Sequence, residues 1–252
     1  MNMDIDNQYG TLEIQKNLLL LLKEFHQLCL ENDIKYSLDW GSLLGAVRHK
    51  GFIPWDDDVD IMVDRSNYKK IIDAITPPLT IEQYSSSTLW VDRVRLDSSA
   101  ISNFKPTMDI FIVDNAPDSA IARKLRVLEL RFVQGMLKSE PTTNRGNLWY
   151  KTASVISYLF GHLFTRKQKI RFYNWLSQRS NNIETTKKAS YNTDFGDLPK
   201  LYSKDIIEEV IEVPFENIKV YITKAYHQCL IDKFGPNYMT PPPVENRVPK
   251  HM

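Results

Sequence analysis

The sequence predicts an α+β fold, a mixed β-sheet core with flanking helices and a helical insert. Three observations carry that reading. Residues 11–31 place Leu18, Leu21, Leu22, Phe25, Leu28 and Cys29 at three- and four-residue steps, the period of an amphipathic helix. Short apolar runs of strand length follow at 34–38, 58–63, 90–96 and 108–114. A long helical pattern then returns at 118–137.

Taken in order, Asn32 and Asp33 end the first helix, and a strand at 34–38 delivers the chain to Trp40 and Gly41. Gly41-Ser42 before Leu43, Leu44, Ala46 and Val47 reads as a helix N-terminus, whose free N–H groups can hold a phosphate. The link that follows is basic. It is either a basic surface turn or, since arginine matches phosphate geometry, a place where one or two of Arg48, His49 and Lys50 touch substrate phosphate.

Four carboxylates then crowd together: Asp56, Asp57, Asp58 and Asp60. In a strand at 58–63, Asp58 and Asp60 share one face. Such neighbours repel unless a cation sits between them, and hard divalent ions take oxygen ligands. An acidic run that leads straight into an apolar strand is not an ordinary solvated turn. An EF-hand loop counted from Asp56 fails, because Ile61 stands where glycine is needed and Asn67 where glutamate is needed. The stretch therefore reads as a metal–phosphate site.

Asp64 caps a helix at 67–75 that Pro77 and Pro78 stop. Strands at 79–84 and 90–96 follow. On the second, Arg93 and Arg95 share a face, either an exposed basic face or one that aims Arg95 into the cleft. In M-D-I-F-I-V-D at 108–114, Asp109 inside an apolar strand needs a partner, unless it lies at a frayed strand edge in water; Asp114 reads as a turn residue. Along 118–137, Ile121, Leu125, Leu128, Phe132 and Met136 form one stripe. The apolar segment 151–164 reads first as a core helix. The second reading is a surface that docks on a membrane or partner, because Arg166, Lys167, Lys169 and Arg171 follow it. A loop at 191–201 crosses near the cleft, and a helix at 224–233 closes on Gly235.

Composition bounds the partners. The 252 residues are 42% hydrophobic and 25% charged with a net charge of +1, so no nucleic-acid partner is expected. Cys29 and Cys229 fit small buried hydrophobes in a reducing compartment. No signal peptide and no apolar run of spanning length is visible, so a cytoplasmic location is expected, with peripheral contact at the inner face of the cell membrane as its extension.

The string at 41–61, G-S-L-L-G-A-V-R-H-K-G-F-I-P-W-D-D-D-V-D-I, resembles the LicD family. These are phosphocholine and polyol-phosphate transferases with a nucleotidyltransferase-like core, related to the fukutin-related proteins. Phe215-Glu216-Asn217 and the ending F-G-P-N-Y-M-T-P-P-P-V-E-N-R are similar to the family as well, with Phe234 where tyrosine is common. The closing K-H-M departs from the family's His-rich tail.

The resemblance implies a core at 1–117, a helical insert or cap at 118–187 and a C-terminal part at 188–252 that completes the core. It implies Asp58, Asp60 and Asp109 as catalytic metal ligands for Mg²⁺, with Mn²⁺ as the alternative. Gly41, Ser42, Arg48, Lys50 and Arg95 would bind substrate. The donor would be CDP-choline or another CDP-alcohol, with CMP leaving. The acceptor would be a sugar hydroxyl of a cell-surface glycan such as lipopolysaccharide, capsule or teichoic acid, carried on a lipid in one version. Trp40, Trp55, Tyr36 and Trp90 are candidates for an aromatic cage around choline. Two rivals remain: a metal-dependent glycosyltransferase using a nucleotide-sugar, and a non-catalytic binding module with structural acids.

Overall fold

The computed structural model describes residues 8–83, 91–97, 106–144 and 146–249. In chain order the first elements are α1 (Leu12–Glu31), β1 (Ser37–Leu38), α2 (Trp40–Arg48), β2 (Val59–Asp64), α3 (Arg65–Ala74), β3 (Leu79–Glu82), β4 (Asp92–Leu96) and β5 (Thr107–Ala116). Then come α4 (Ala120–Leu137), α5 (Leu148–Gly161), α6 (Arg166–Gln178), β6 (Lys187–Ser190) and β7 (Tyr202–Ser203). The chain closes with β8 (Val210–Phe215), β9 (Ile218–Thr223), α7 (Tyr226–Phe234) and a 3₁₀ turn at Val244–Asn246. The fold is α+β.

The chain forms two compact units: Met1–Gln83 with Asp92–Ile112 and Asp205–Met252, and Tyr84–Val91 with Val113–Lys204. The second unit thus takes in the C-terminal end of β5 and runs on to Lys204.

In the first unit, strands run in the order β1-β2-β5-β4-β3. The pairs β1–β2, β3–β4 and β4–β5 are antiparallel. Both acid-bearing strands, β2 and β5, are therefore interior. β2 is buried on both faces, with Val59, Ile61, Met62 and Val63 at most 1% exposed, as befits a strand covered on both sides. α1 buries Leu18, Leu21, Leu22, Phe25 and Cys29, the stripe its periodicity defines. Of the strand expected at 34–38, only Ser37 and Leu38 pair, with Met62 and Ile61. Asp64 caps α3 by accepting the Asn67 N–H, 2.8 Å away. β8 and β9 form a separate hairpin, and the Thr223 N–H reaches Ser37 Oγ at 2.8 Å. Both cysteines are free and buried.

The second unit corrects one expectation. Asp114 is not a turn residue: it lies inside β5, 2% exposed, and accepts the Asn181 Nδ2 amide at 2.6 Å. On α4 the apolar stripe faces out over most of its length, with Ile121 at 73% and Leu128 at 59% exposure, and turns in only at Met136. The buried side instead carries Leu130 and Val133, which join Tyr173, Leu176 and Tyr191 in the unit's core. It also carries Arg126 and Gln134, which remain tolerable because Arg126 donates to the Leu176 carbonyl at 2.6 Å and Gln134 to the Thr193 carbonyl at 3.1 Å. Gly146, Tyr150 and the loop from Asp194 to Asp197 line a cleft of about 500 Å³ in this unit.

Candidate active site

The site is built where α2 begins. Asp39 is its N-cap residue, in an extended conformation. Two hydrogen bonds tie this helix start to β2: the Asp39 N–H donates to the Asp60 carbonyl at 2.9 Å, and the Asp60 N–H donates to Ser42 Oγ at 3.0 Å. Asp60 is thus gripped through its own backbone by the first turn of α2. Ser42 is 2% exposed. The hydroxyl assigned to phosphate therefore also aligns the strand.

Asp60 is buried, and its carboxyl is pushed well above the usual carboxylate range. Burial is the main cause, and the charges of Asp58, Asp109, Asp39 and Asp56 add to it. The sequence-predicted acids Asp58, Asp60 and Asp109 are therefore brought within electrostatic reach of one another. Asp58 lies one residue before β2, and Asp109 sits on β5, the strand beside β2.

Arg93 is the cation that meets them. The register sets it across from Asp109. Its guanidinium donates to both Asp109 oxygens, at 2.6 and 3.2 Å. That bond is the chief reason the guanidinium holds its proton more tightly than usual. Arg95, the arginine chosen from the sequence, pairs with Glu82 of β3 instead.

Gly41 lies where Asp56 packs against the helix: a Cβ there would stand 2.6 Å from Asp56 Oδ2. The seat assigned to a phosphate thus has a carboxylate beside it. Arg48 Nη1 donates to the Tyr238 carbonyl at 3.0 Å, and its Nε to His49 at 2.9 Å. Burial, then the neighbouring Arg247, loosens the Arg48 proton, while Asp56 opposes them. Lys50 is exposed, and the engaged part is its carbonyl, which accepts the Glu216 N–H at 2.7 Å. Glu216 also accepts the Phe52 N–H at 3.1 Å, so it clasps the loop between α2 and the acids.

Three residues here escaped sequence reasoning. Arg93 carried a signal, since it shares a face with Arg95. Asp39 and Lys233 carried none. They form an ion pair with both side chains 1% exposed, and Lys233 Nζ lies 4.4 Å from the centre of the Trp40 ring. The second oxygen of Asp39 is buried without a hydrogen-bond partner.

Among the described residues, no three His, Cys, Asp or Glu side chains are drawn together tightly enough to make a ready metal cage. The donor set nonetheless suits a hard divalent cation. All its candidate donors are carboxylate oxygens, and Asp60 sits in a concentration of like charge that Arg93 partly opposes.

Carboxylates on two adjoining interior strands, backed by a helix that starts at Gly-Ser, make the layout of a nucleotidyltransferase-type α+β domain. Residues 33–119 match the family model described as LicD/FKTN/FKRP, nucleotidyltransferase domain. The chain is 30% identical over 258 residues, 93% of each partner, to the lipopolysaccharide cholinephosphotransferase LicD of Haemophilus influenzae. An uncharacterised protein of Rickettsia typhi is 46% identical over 59 residues, 22% of this chain and 19% of the relative. One of Rickettsia prowazekii is 56% identical over 45 residues, 18% of this chain and 17% of the relative. The chain belongs to the LicD family.

Proposed function

We propose that this protein is a transferase that moves phosphocholine, or a related phospho-alcohol, from a CDP-linked donor to a sugar hydroxyl of a cell-surface glycan such as lipopolysaccharide. One observation carries the reading: a buried carboxylate, Asp60, amid four others at a helix start, in a chain similar along nearly its whole length to a lipopolysaccharide cholinephosphotransferase. The acceptor hydroxyl oxygen attacks the outer phosphorus of the donor. The bond from that phosphorus to the bridging oxygen breaks, and CMP leaves with the electron pair. The hydroxyl proton passes to a carboxylate, for which Asp109 is the candidate.

Mg²⁺ would be held by Asp58 and Asp60, with Asp109 as third ligand in the alternative where it does not take the proton, and when bound it would neutralise charge on the diphosphate. The protein's share is positioning and electrostatics. The first turn of α2 presents backbone N–H groups. Arg93 brings a fixed positive charge beside Asp109, and Arg48 a second one near Asp56. With a lipid-carried acceptor, the protein would work in the cytoplasm at the inner face of the cell membrane.

The test is CMP release from a panel of CDP-alcohols with a glycan acceptor, in Mg²⁺ and in EDTA. CDP-choline turnover that EDTA abolishes, and that the Asp58→Asn/Asp60→Asn variant lacks while still folded, is the expected result. Turnover of a nucleotide-sugar alone would move the assignment to glycosyl transfer.

A further inference from the structure

The second unit holds a stretch unlike the rest of the chain. Between Glu140 and Glu184 there is no Asp or Glu in 43 residues, against seven Lys and Arg. The whole chain, by contrast, carries a net charge of only +1.

Within this stretch α5 is built inside out. Its only buried residues are Ser157 and Gly161. It meets α4 through small groups. A Cβ on Gly135 would lie 2.2 Å from Ser157 Oγ, and one on Gly161 would lie 2.3 Å from the Met136 carbonyl oxygen. The bulky apolar side chains are left outside: Trp149 is 81% exposed, Leu159 60% and Leu163 73%. Ring contacts extend this surface, with Phe132 of α4 5.8 Å from Phe160, and Phe160 5.4 Å from Phe164. Exposed bulky apolar side chains in this number on one helix and its neighbours mark an interaction site.

Charge decides the partner. Lys167 and Arg171, both exposed, follow the apolar segment directly. Two copies of this face would set like charge against like charge, which disfavours self-association. Anionic phospholipid headgroups meet both needs, attracting the cations while the acyl boundary takes the apolar side chains. No helix of the described residues is long and apolar enough to cross a membrane, so the contact is made from one side.

We propose that α5, the adjoining edge of α4 and the Leu163 and Phe164 turn seat the protein on an anionic phospholipid bilayer. This deepens the transfer reading by naming the surface that would hold the enzyme where a lipid-carried acceptor lies.

The full chain is sedimented with vesicles of phosphatidylcholine, with and without phosphatidylglycerol, in low and high salt. Binding to the phosphatidylglycerol vesicles that weakens with salt is expected. Trp149→Ser/Leu159→Ser should lower it on the order of tenfold, and Lys167→Glu/Arg171→Glu should remove the preference for phosphatidylglycerol. Both variants should keep their CMP release with a soluble acceptor. Wild-type protein left in the supernatant with both vesicle types overturns the proposal, as does undiminished binding by Trp149→Ser/Leu159→Ser. A dimer in light scattering that this variant splits does the same and assigns the face to a second copy. Binding is read without substrate, so loss of docking and loss of transfer are separate outcomes.

Discussion

Asp60 is a carboxylate kept out of water among other carboxylates, and its raised proton affinity makes it a stability liability at neutral pH. The folded state binds that proton more tightly than the unfolded chain does. Its contribution is therefore full below the ordinary aspartate value and is lost as pH rises through the higher folded value. In EDTA, Asp60→Asn should melt at a higher temperature than wild type at pH 7.5, with a smaller loss between pH 5 and pH 7.5, while transfer disappears. A variant that melts lower at pH 7.5 would show that the repulsion is already relieved. The two arginines of β4 give a second contrast. Arg93→Gln strips Asp109 of a two-bond partner and should lower kcat/KM by roughly 10²-fold, whereas Arg95→Gln, which releases only Glu82, should stay within a few-fold. Equal losses would return Arg95 to the site. The acids stood out in the sequence because four of them crowd ahead of an apolar run; the two-residue period that puts Asp58 and Asp60 on one face assumed a strand from 58, whereas β2 begins at Val59. The same period puts Arg93 and Arg95 on one face and is silent on which of them meets Asp109. Only the strand register settles that.

At the scale of elements, α2 is held from two sides. Toward its C-terminus a Gly45 Cβ would stand 2.5 Å from the Gly51 carbonyl oxygen, a backbone atom that cannot swing away. Gly45→Ala should therefore cost about 1–3 kcal/mol by chemical denaturation. An unchanged midpoint would mean that the loop 49–53 gives way freely. At its N-terminus, Lys233 of α7 neutralises the cap residue Asp39 in a fully buried pair. Lys233→Met leaves that charge uncompensated and should cost about 3–5 kcal/mol, most of which Asp39→Leu added to it should restore. A double variant no more stable than the single one would mean that Lys233 matters through its packing on Trp40. The start of α2 could be read from Gly-Ser before an apolar run. α5 could not, because periodicity reports which residues share a side and not which side faces in. The apolar stripe of α4 is exposed for the same reason, and Arg126 occupies the buried face because backbone carbonyls satisfy it.

Over the whole molecule the acids and the apolar face belong to different compact units. The order of strands and helices was legible in the chain as far as α5, but α6, the strands β6 to β9 and the limits of the second unit were not. β5 changes unit partway along, between Ile112 and Val113, with no glycine, proline or shift in composition to mark the point. The second unit holds a core of its own around Leu130, Val133, Tyr173 and Leu176. A cation bound at Asp58 and Asp60 should thus stabilise one unit selectively. At a free Mg²⁺ concentration about 100 times its Kd, ligand linkage supplies about 2.7 kcal/mol, which slows exchange about a hundredfold for amides released only by opening of the first unit. Hydrogen exchange should show that slowing at Ile61, Met62 and Ile110, in the hydrogen-bonded interior of β2 and β5. Amides of α4 and α6 should exchange at the same rate in Mg²⁺ and in EDTA. Uniform slowing in both units would mean that the chain opens as one cooperative body, and no slowing in β2 would remove the metal from Asp60 altogether.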